Sequence, residues 1–383
     1  MSLTVEKPAW MTEDLQIFED AVVKFTEREF MPHVADWEKN SQVPREIWRK
    51  AGEAGMLCVA VPEEYGGGGG TFAHDAVLID VWGRMGVTGF GGSLHNAIVA
   101  PYIVHYGTEE QKKRWLPRMA TGDLVGAIAM TEPGTGSDLQ SVKTTARKDG
   151  DSYIINGSKT FITNGGTANL IIVVCKTDVS AGAKGISLIL VETDEAPGFK
   201  RGRKLDKVGL HGQDTSELFF EDVRVPASNL LGGEGKGFFM LMDQLPSERL
   251  QIGLQGVAMM ERAIAETVKY TTERKAFGKS VMDFQNTQFV LADAKAKTVV
   301  ARVFCNWGVG QLLEGKLDAY TASIAKLWVS DEQCNIVDAC LQLHGGYGYM
   351  NEYPIAQMYR DARVQKIYGG TNEIMKVLIA RNL

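Results

Sequence analysis

The first part of the chain has the hydrophobic spacing of amphipathic helices. From Thr12 onwards, apolar residues recur every three or four positions, which is the spacing of one helix face. The first set comprises Leu15, Phe18, Val22 and Phe25. Further helices are predicted at 45–56, 72–86, 92–106 and 109–121. Thr108 and Gln111 form a capping box before the last of these, and we predict a helical domain over residues 1–122.

Near Leu124 the pattern changes to the alternation that is typical of strands. Apolar, β-rich runs follow at 124–130, 153–155, 170–175, 186–191 and 217–225. Turn signals such as Asp149-Gly150 separate these runs. Residues 123–231 are therefore predicted to form a β domain, either a small barrel or a sandwich.

Long helical patterns return after Gly235 and occupy the rest of the chain. They cover 255–274, 289–313 and 319–343. We predict a C-terminal four-helix bundle over residues 232–383. The fold class is therefore α+β, with a helical, a β and a helical domain in that order. This order has no alternating βαβ units, which argues against a doubly wound nucleotide-binding fold.

Five consecutive glycines, Gly66–Gly70, resemble part of a phosphate-binding loop. They are not followed by Lys-Ser or Lys-Thr, and they do not follow a predicted strand, as that motif requires. We interpret the run as a flexible connector between two helices of the N-terminal domain.

Composition restricts the class of protein. A chain of 383 residues is expected to form two or three domains. Forty-one basic and forty-seven acidic residues give a net charge of −6, and no block of Lys or Arg forms a footprint for a polyanion, so no nucleic-acid partner is expected. The five cysteines are scattered without C-x-x-C spacing, which indicates buried thiols rather than disulfides or a metal site.

The first ten residues, Met1–Trp10, lack the apolar segment of a signal peptide and the Arg-rich pattern of a transit peptide. No apolar run approaches the roughly 20 residues that span a bilayer. We therefore expect a soluble, cytoplasmic protein with no stable membrane association. An organellar form that has lost its leader remains an alternative.

Candidate chemistry begins in the segment Thr131–Asp138, which reads TEPGTGSD. It leaves a predicted strand and contains two glycines and a proline, so backbone N–H groups and hydroxyls are exposed over a short span. Such a loop can hold a flavin edge and a pyrophosphate with neutral donors. The alternative is an ordinary turn-rich connection between strands.

This segment and five others resemble the signatures of the acyl-CoA dehydrogenase family. Met130–Asp138 resembles the first signature. The others follow in family order: Phe161–Gly166, Arg274–Lys279 with Gln285, Gln342–Gly346, Asp361–Arg363 and Tyr368–Glu373. The resemblance spans essentially the whole chain. It implies an FAD cofactor, an acyl-CoA substrate, and α,β-dehydrogenation of the thioester to a trans-2-enoyl-CoA.

The resemblance implies two groups of FAD-binding residues. The group that binds the flavin within one subunit comprises Met130, Thr131, Gly136, Ser137, Phe161, Ile162 and Thr163. The group that reaches the FAD phosphates and adenine from a neighbouring subunit comprises Arg274, Phe277, Gln285, Gln342, Leu343, His344, Gly345 and Gly346. Thr371 and Glu373 are also assigned to the cofactor.

Three of these residues have specific interpretations. By resemblance, Phe161 covers the isoalloxazine and Thr163 bonds near its N5 edge. For His344 we expect a structural role or one at the cofactor edge, without acid–base chemistry. Taken singly, Phe161 is also typical of a strand core and Arg274 of a solvated helix end, and only their joint order favours the functional reading.

The position of the catalytic base distinguishes branches of this family. Many members have a Glu immediately after the Tyr of a segment such as Tyr368–Thr371, but this chain has Gly369 there. The long-chain and isovaleryl branches place a Glu on a C-terminal helix instead, in a segment resembling Leu245–Leu250, which assigns the base to Glu248. An apolar, closed site would raise the pKa of this carboxylate toward the working pH. The alternative is a helix-surface glutamate beside Arg249.

The resemblance also implies a mechanism and partners. Glu248 would remove the α-proton while hydride leaves the β-carbon for the flavin N5. The backbone N–H of Gly369 and a ribityl hydroxyl of FAD would hold the negative charge on the thioester oxygen. The residues assigned to the substrate are Ser137, Phe239, Arg249, Gly369 and Gly370. Electron-transferring flavoprotein is the implied electron acceptor, and a homotetramer is the implied assembly.

Within the family, Ser247-Glu248-Arg249 together with Ile367–Lys376 looks closest to the long-chain branch, which implies fatty acid β-oxidation. Gly369 would leave empty the volume of a loop Glu, and Pro246 would kink or loosen the helix before Glu248, so a long or branched chain is expected to fit. Alternatives are a short branched-chain, isovaleryl-type dehydrogenase and an acyl-CoA oxidase. A more distant alternative is a DNA-associated flavoprotein. The excess of acidic over basic residues argues against it.

Overall fold

The computed structural model describes residues 6–383, so the expectation about Met1–Trp10 lies partly outside the described residues. The part of the chain before the sheet is helical, as predicted. Its α-helices are α1 Glu13–Phe25, α2 Val34–Asn40, α3 Arg45–Glu53, α4 Phe72–Met85, α5 Gly92–Leu94, α6 Ala100–Tyr106 and α7 Glu109–Ala120.

Local signals in the sequence define several of these helix ends. The capping box before α7 is confirmed, because Gln111 N donates to Thr108 Oγ1 at 3.3 Å and Thr108 N donates to Gln111 Oε1 at 3.0 Å. The single helix predicted over 92–106 is divided, since a π-helical turn at His95–Val99 lies between α5 and α6. Such turns are frequent at functional sites.

The middle of the chain forms one hydrogen-bonded sheet. Its strands are β1 Gly126–Ala129, β2 Thr145–Asp149, β3 Ser152–Thr163, β4 Leu170–Lys176, β5 Ile186–Glu192, β6 Phe199–Lys204, β7 Thr215–Pro226 and β8 Leu230–Leu231. The strand order is β6-β7-β3-β2-β4-β5-β8, and β1 pairs with β4 in parallel. The β character predicted for this part is confirmed.

The sheet is covered on both faces at β4. Ile171 and Val173 pack in a core with residues of α1, α3 and α4. Ile172 and Val174 pack in a second core with residues of α6, α7 and the long helix that follows the sheet. Because both faces are buried, the strand reads as a continuous apolar run rather than an alternating one.

The C-terminal part is helical again, which confirms the α+β class and its order. It contains α8 Gly237–Glu273, the hairpin β9 Lys275–Ala276 and β10 Lys279–Ser280, α9 Gln285–Leu313, α10 Ala319–His344, α11 Pro354–Ala362 and α12 Asn372–Ala380. α8 begins well before the predicted start at Gln255 and continues through Pro246. The loosening predicted just before Glu248 is therefore not observed, because buried residues on both sides of Pro246, such as Leu245 and Leu250, hold the helix in place.

The glycine run Gly66–Gly70 connects two helical regions, as predicted, but close packing explains it better than flexibility. Gly69 N donates to Val61 O at 2.9 Å and Gly70 N donates to Val59 O at 2.9 Å. A Cβ on Gly67 would lie 2.3 Å from Val61 O. Residues with side chains would not fit there.

Asp361 of α11 joins the three parts of the fold. Its Oδ2 accepts from the Thr88 hydroxyl at 2.9 Å, and its Oδ1 accepts from Leu210 N at 2.6 Å. Thr88 precedes α5 and Leu210 precedes β7. Burial raises the pKa of Asp361 to about 6. Its role in the family-like segment Asp361–Arg363 is therefore structural.

The cysteines are free thiols, and four of them are buried: Cys58, Cys175, Cys305 and Cys340. Burial raises the pKa of Cys175 to about 12, which keeps this thiol protonated and unreactive. Among residues 6–383, no helix combines the length and the apolar character needed to cross a bilayer.

Candidate active site

Glu248 lies in the first third of α8 and is 6% exposed. Its Oε1 accepts a hydrogen bond from the Tyr102 hydroxyl of α6 at 3.0 Å. Burial raises the pKa of Glu248 to about 7, although the Tyr102 hydrogen bond and the Arg249 charge both favour the ionised form. The residue is therefore not a solvated surface glutamate. It is a carboxylate that can exchange a proton near neutral pH, in the direction expected for a base.

The turn that follows α11 is bound to α8 next to this carboxylate, by Arg249, the residue after Glu248. Arg249 is buried, and its Nε donates to Gly369 O at 3.3 Å. Gly369 and Gly370 have φ angles of +64° and +96°. Among the hydrogen bonds of residues 6–383, the Gly369 N–H donates to no protein acceptor. It is therefore available to an oxygen of a ligand, as the assigned role requires.

The space directly beside the Cα of Gly369 is bounded by a side chain of α8. A Cβ built on Gly369 would lie 2.3 Å from Cδ1 of Ile252. Ile252 is on α8, one helical turn after Glu248. The same helix that carries the carboxylate thus also borders the turn.

Tyr102→Phe is expected to shift the pH dependence of activity. Activity should rise as pH passes through about 7, because only ionised Glu248 accepts a proton. The Tyr102 hydroxyl donates to that ionised form, so its removal should raise the pKa and move this limb about one pH unit higher. Profiles of kcat/KM against pH would measure the shift.

Tyr106→Phe is a matched control, since the Tyr106 hydroxyl bonds to Asp243 and Gln244 rather than to Glu248. Its profile should follow that of the unmodified enzyme. An unshifted limb in Tyr102→Phe would contradict the role of this hydroxyl.

A buried ion pair holds the loop that follows β1. Lys159 of β3 is 1% exposed and donates to Glu132 Oε1 at 2.9 Å and to Met130 O at 3.0 Å. Glu132 also accepts from the backbone N–H groups of Lys143 at 2.6 Å and Thr144 at 2.9 Å. These charge-assisted bonds fix the loop against β3.

The same part of β3 presents an aromatic ring at the surface. Phe161 is 68% exposed and has φ +59°, an uncommon conformation for a bulky residue. Thr160 N donates to Thr131 O at 3.0 Å, so Phe161 lies next to the loop. Gly136 and Ser137 are exposed in that loop, and open space lies beside Gly136. The exposed ring and the loop donors fit a flat, polar-edged group such as a flavin.

The second predicted group of cofactor residues surrounds a separate pocket of about 520 Å³. Arg274 lies over the Tyr347 ring at 5.5 Å, and Tyr270 stacks on His344 at 4.3 Å. Burial lowers the pKa of His344, which keeps it neutral and agrees with a role outside acid–base chemistry. The lining also includes Gln342, Leu343, Gly345 and Gly346. Its cation, aromatic faces and exposed glycine backbone fit a nucleotide.

The remaining predicted residues lie apart from these clusters or at their edges. Phe277, in the β9–β10 hairpin, is 95% exposed, and Gln285 is exposed at the first position of α9. Phe239 is 66% exposed near the start of α8 rather than enclosed. Thr371 caps α12 by accepting from Ile374 N at 3.4 Å, and Glu373 is exposed in its first turn. Ile162 is buried and Thr163 is half-buried on β3.

Sequence reasoning did not identify Tyr102, Lys159, Ile252 or Lys326. Tyr102 and Ile252 fit the apolar periodicity of their helices, so the pattern assigns them to the core and does not reveal a neighbour from another helix. A fully buried lysine has the sequence appearance of a solvated one. Lys159 stands between Ser158 and Thr160, so its segment reads as polar and the sequence gives no signal of its burial.

Comparison with known proteins agrees with this arrangement. Family models of the acyl-CoA dehydrogenase N-terminal, middle and C-terminal domains match residues 12–123, 127–223 and 235–383. The chain therefore belongs to the acyl-CoA dehydrogenase family. It is an enzyme, and as in its family the cofactor is FAD. The exposed Phe161 ring with its neighbouring loop, and the pocket lined by Arg274, both fit this cofactor.

The chain is similar to several individual proteins. It is 52% identical to a mitochondrial long-chain specific acyl-CoA dehydrogenase of Sus scrofa, over 96% of this chain and 86% of that one. An acyl-CoA dehydrogenase structure from Geobacillus kaustophilus superimposes with a TM-score of 0.96 at 49% identity, covering 98% and 99% of the two chains. Butyryl-CoA dehydrogenase from Megasphaera elsdenii gives a TM-score of 0.91 at 35% identity, covering 100% and 99%. Relatives thus act on chains of different length.

Proposed function

We propose that this protein oxidises long-chain acyl-CoA thioesters to trans-2-enoyl-CoA in fatty acid β-oxidation, with Glu248 as the base. The observation that carries the proposal is a buried carboxylate of raised pKa on α8, beside a turn whose Gly369 lacks a carboxylate. The similarity to the long-chain enzyme of Sus scrofa supports the choice of chain length. A cytoplasmic location stays a prediction, since that relative is named as mitochondrial.

Different residues of the chain perform different parts of the reaction. Glu248 accepts the α-proton in a site from which water is largely excluded. The free N–H of Gly369 donates to the thioester oxygen as negative charge develops there. Arg249 holds the Gly369 carbonyl and so keeps the turn beside the base. Bound FAD supplies the two-electron acceptor, and electron-transferring flavoprotein is the proposed oxidant of the reduced enzyme.

A panel of acyl-CoAs tests the substrate class. We expect higher kcat/KM for acyl chains of roughly ten or more carbons than for butyryl-CoA, because each buried CH₂ contributes about 0.8 kcal/mol. Anaerobic bleaching of the flavin by acyl-CoAs of graded length measures the reductive half-reaction without an external acceptor. Faster bleaching by butyryl-CoA or isovaleryl-CoA than by dodecanoyl-CoA would reject the long-chain proposal but not the dehydrogenase class.

The electron acceptor is tested with the same substrates. Turnover should require electron-transferring flavoprotein and should be slow with oxygen alone. Rapid peroxide formation without that partner would favour an acyl-CoA oxidase.

We also propose a homotetramer in which each FAD lies between two subunits. Arg274 caps the C-terminus of α8 and follows Glu248 by 26 residues, which corresponds to about 39 Å along the helix, too far for one FAD to contact both within a single chain. Exposed apolar side chains also mark α9, where they are Phe289, Val300, Val303 and Trp307. Apolar sets of this kind are typical of subunit interfaces.

Arg274→Ala is expected to weaken FAD retention about tenfold, because one charge-assisted contact to the cofactor is lost. Flavin content after dialysis, together with sedimentation of the loaded protein, would measure this. Arg28→Ala removes an exposed arginine on the first domain and should leave both unchanged. A monomer that holds FAD fully would contradict the proposed assembly.

A further inference from the structure

The turn that carries Gly369 is attached to the protein on both sides. On its N-terminal side, the Tyr368 hydroxyl lies 3.3 Å from Gln255 Oε1 of α8 and 2.8 Å from Gln365 Oε1. On its C-terminal side, Asn372 is buried at the first position of α12. Between these anchors, Gly369 and Gly370 have positive φ angles, a conformation in which glycine has wide freedom. The direction of the Gly369 N–H therefore depends on how firmly the anchors are held.

Asn372 is held by three side chains of α10. Lys326 Nζ donates to Asn372 Oδ1 at 2.8 Å, and Ser330 Oγ donates to the same oxygen at 3.1 Å. Asn372 Nδ2 in turn lies 3.0 Å from Asp331 Oδ1 and 2.9 Å from Ser330 Oγ. The amide is thus placed between an ammonium, a hydroxyl and a carboxylate.

These partners allow one orientation of the Asn372 amide. An ammonium group can only donate hydrogen bonds, and an ionised carboxylate can only accept them. The amide oxygen must therefore face Lys326, and the amide nitrogen must face Asp331. Neutral partners would leave the amide free to reverse, because its two ends have nearly the same shape. The two charges fix both the position and the rotation of Asn372.

Lys326 is not accounted for by packing alone. It is fully buried, and in the described part of the chain no carboxylate forms an ion pair with its Nζ. Burial and the nearby Arg249 charge lower the pKa of Lys326 to about 8. A buried cation without a counter-ion is costly, and an apolar residue would fill the same volume without that cost.

Two cations thus hold the turn at two points. Arg249 of α8 binds the carbonyl of Gly369, and Lys326 of α10 binds the side chain of Asn372, three residues further on. Within residues 6–383, the N–H of Gly369 has no protein acceptor. We propose that Lys326, acting through Asn372, is a positioning residue that aims the Gly369 N–H at the thioester oxygen of the substrate. This inference rests on the proposed function of that N–H.

Lys326→Met tests the role, since methionine keeps much of the apolar stem but cannot donate to Asn372. In the FAD-loaded tetramer assayed with dodecanoyl-CoA, kcat is expected to fall about 10- to 100-fold, somewhat less than for loss of a whole oxyanion donor. KM should change less than about threefold, because the donor acts mainly in the transition state. Lys297→Met is the matched control: Lys297 pairs with Glu332 of α10 at 2.9 Å and does not contact Asn372. It should retain full kcat.

A ligand that carries negative charge on its thioester oxygen but is not oxidised distinguishes loss of Gly369 N–H positioning from a general loss of structure. Acetoacetyl-CoA ionises to an enolate whose charge lies partly on the thioester oxygen, and absorbance titration gives its apparent pKa when bound. Lys326→Met should raise that pKa by about one unit, which corresponds to a tenfold weaker stabilisation of the enolate. Asn372→Ala removes the same link with Lys326 intact and should raise it similarly, which covers the case that Lys326→Met does not fold.

The enolate titration is repeated in a Glu248→Gln background, where the proposed base is absent. The increase caused by Lys326→Met should persist there, because it concerns the oxyanion donor and not the proton acceptor. An unchanged enolate pKa in both Lys326→Met and Asn372→Ala would overturn the inference. Full activity of Glu248→Gln with the increase intact would instead reject the proposed base and leave the positioning role standing.

Discussion

Glu248→Gln is expected to reduce turnover of a long-chain acyl-CoA by about a thousandfold while FAD and substrate remain bound. Glutamine has nearly the shape of glutamate and can still bond to the Tyr102 hydroxyl, but it cannot accept the α-proton. The loss therefore falls on kcat rather than on KM. Anaerobic flavin bleaching in a stopped-flow instrument would measure the affected step directly.

The matched control for this substitution is Glu266→Gln, on the same helix but away from Tyr102 and Gly369. It should bleach at the rate of the unmodified enzyme. The assignment of the base would be lost if Glu248→Gln bleached at that rate too. Flavin absorbance and a melting curve would show that both variants are folded and loaded.

Moving the base to the turn is expected to fail in this chain. The double variant Glu248→Gly with Gly369→Glu places a carboxylate where many relatives carry one, yet we expect less than about 1% of normal turnover. Gly369 has φ +64°, which disfavours any side chain, and its Cβ would meet Cδ1 of Ile252 at 2.3 Å. The new side chain would therefore displace the turn and with it the N–H of Gly369.

Ile252→Ala added to that double variant should recover activity about tenfold, because it removes the obstructing methyl group. Ile252→Ala alone tests whether truncation at this site is harmful in itself. The explanation would be wrong if the double variant were highly active with Ile252 present. It would also be wrong if removing the Ile252 side chain brought no recovery and the turn remained folded.

The reason for the glycine at 369 changes between sequence and structure. In the sequence, Gly369 stands where many relatives carry the catalytic Glu. The lack of a side chain there implies free space for an acyl chain. In the fold, Ile252 of α8 limits the space next to the Cα of Gly369, and the positive φ of the turn independently favours glycine. The preference for long chains therefore rests on similarity to relatives and on the burial of methylene groups, not on an empty volume.

The sequence by itself determined the helical, β and helical order and the capping box at Thr108, and it led to the proposal of Glu248 as the base. These features depend on local spacing or on residues within one segment, where periodicity and motif order carry the information. The two groups of cofactor residues were likewise separable by motif. The distance between Glu248 and Arg274 follows from the helical rise of α8 alone.

Only the tertiary structure decided what surrounds those residues. Tyr102 lies 146 residues before its partner Glu248. Lys326 lies 46 residues before its partner Asn372. The raised pKa of Glu248 likewise results from burial between α8 and α6, which no property of the segment Leu245–Leu250 reveals. Desolvation and hydrogen bonding depend on which elements meet in space, whereas a sequence pattern reports which face of each element is buried but not against which neighbour.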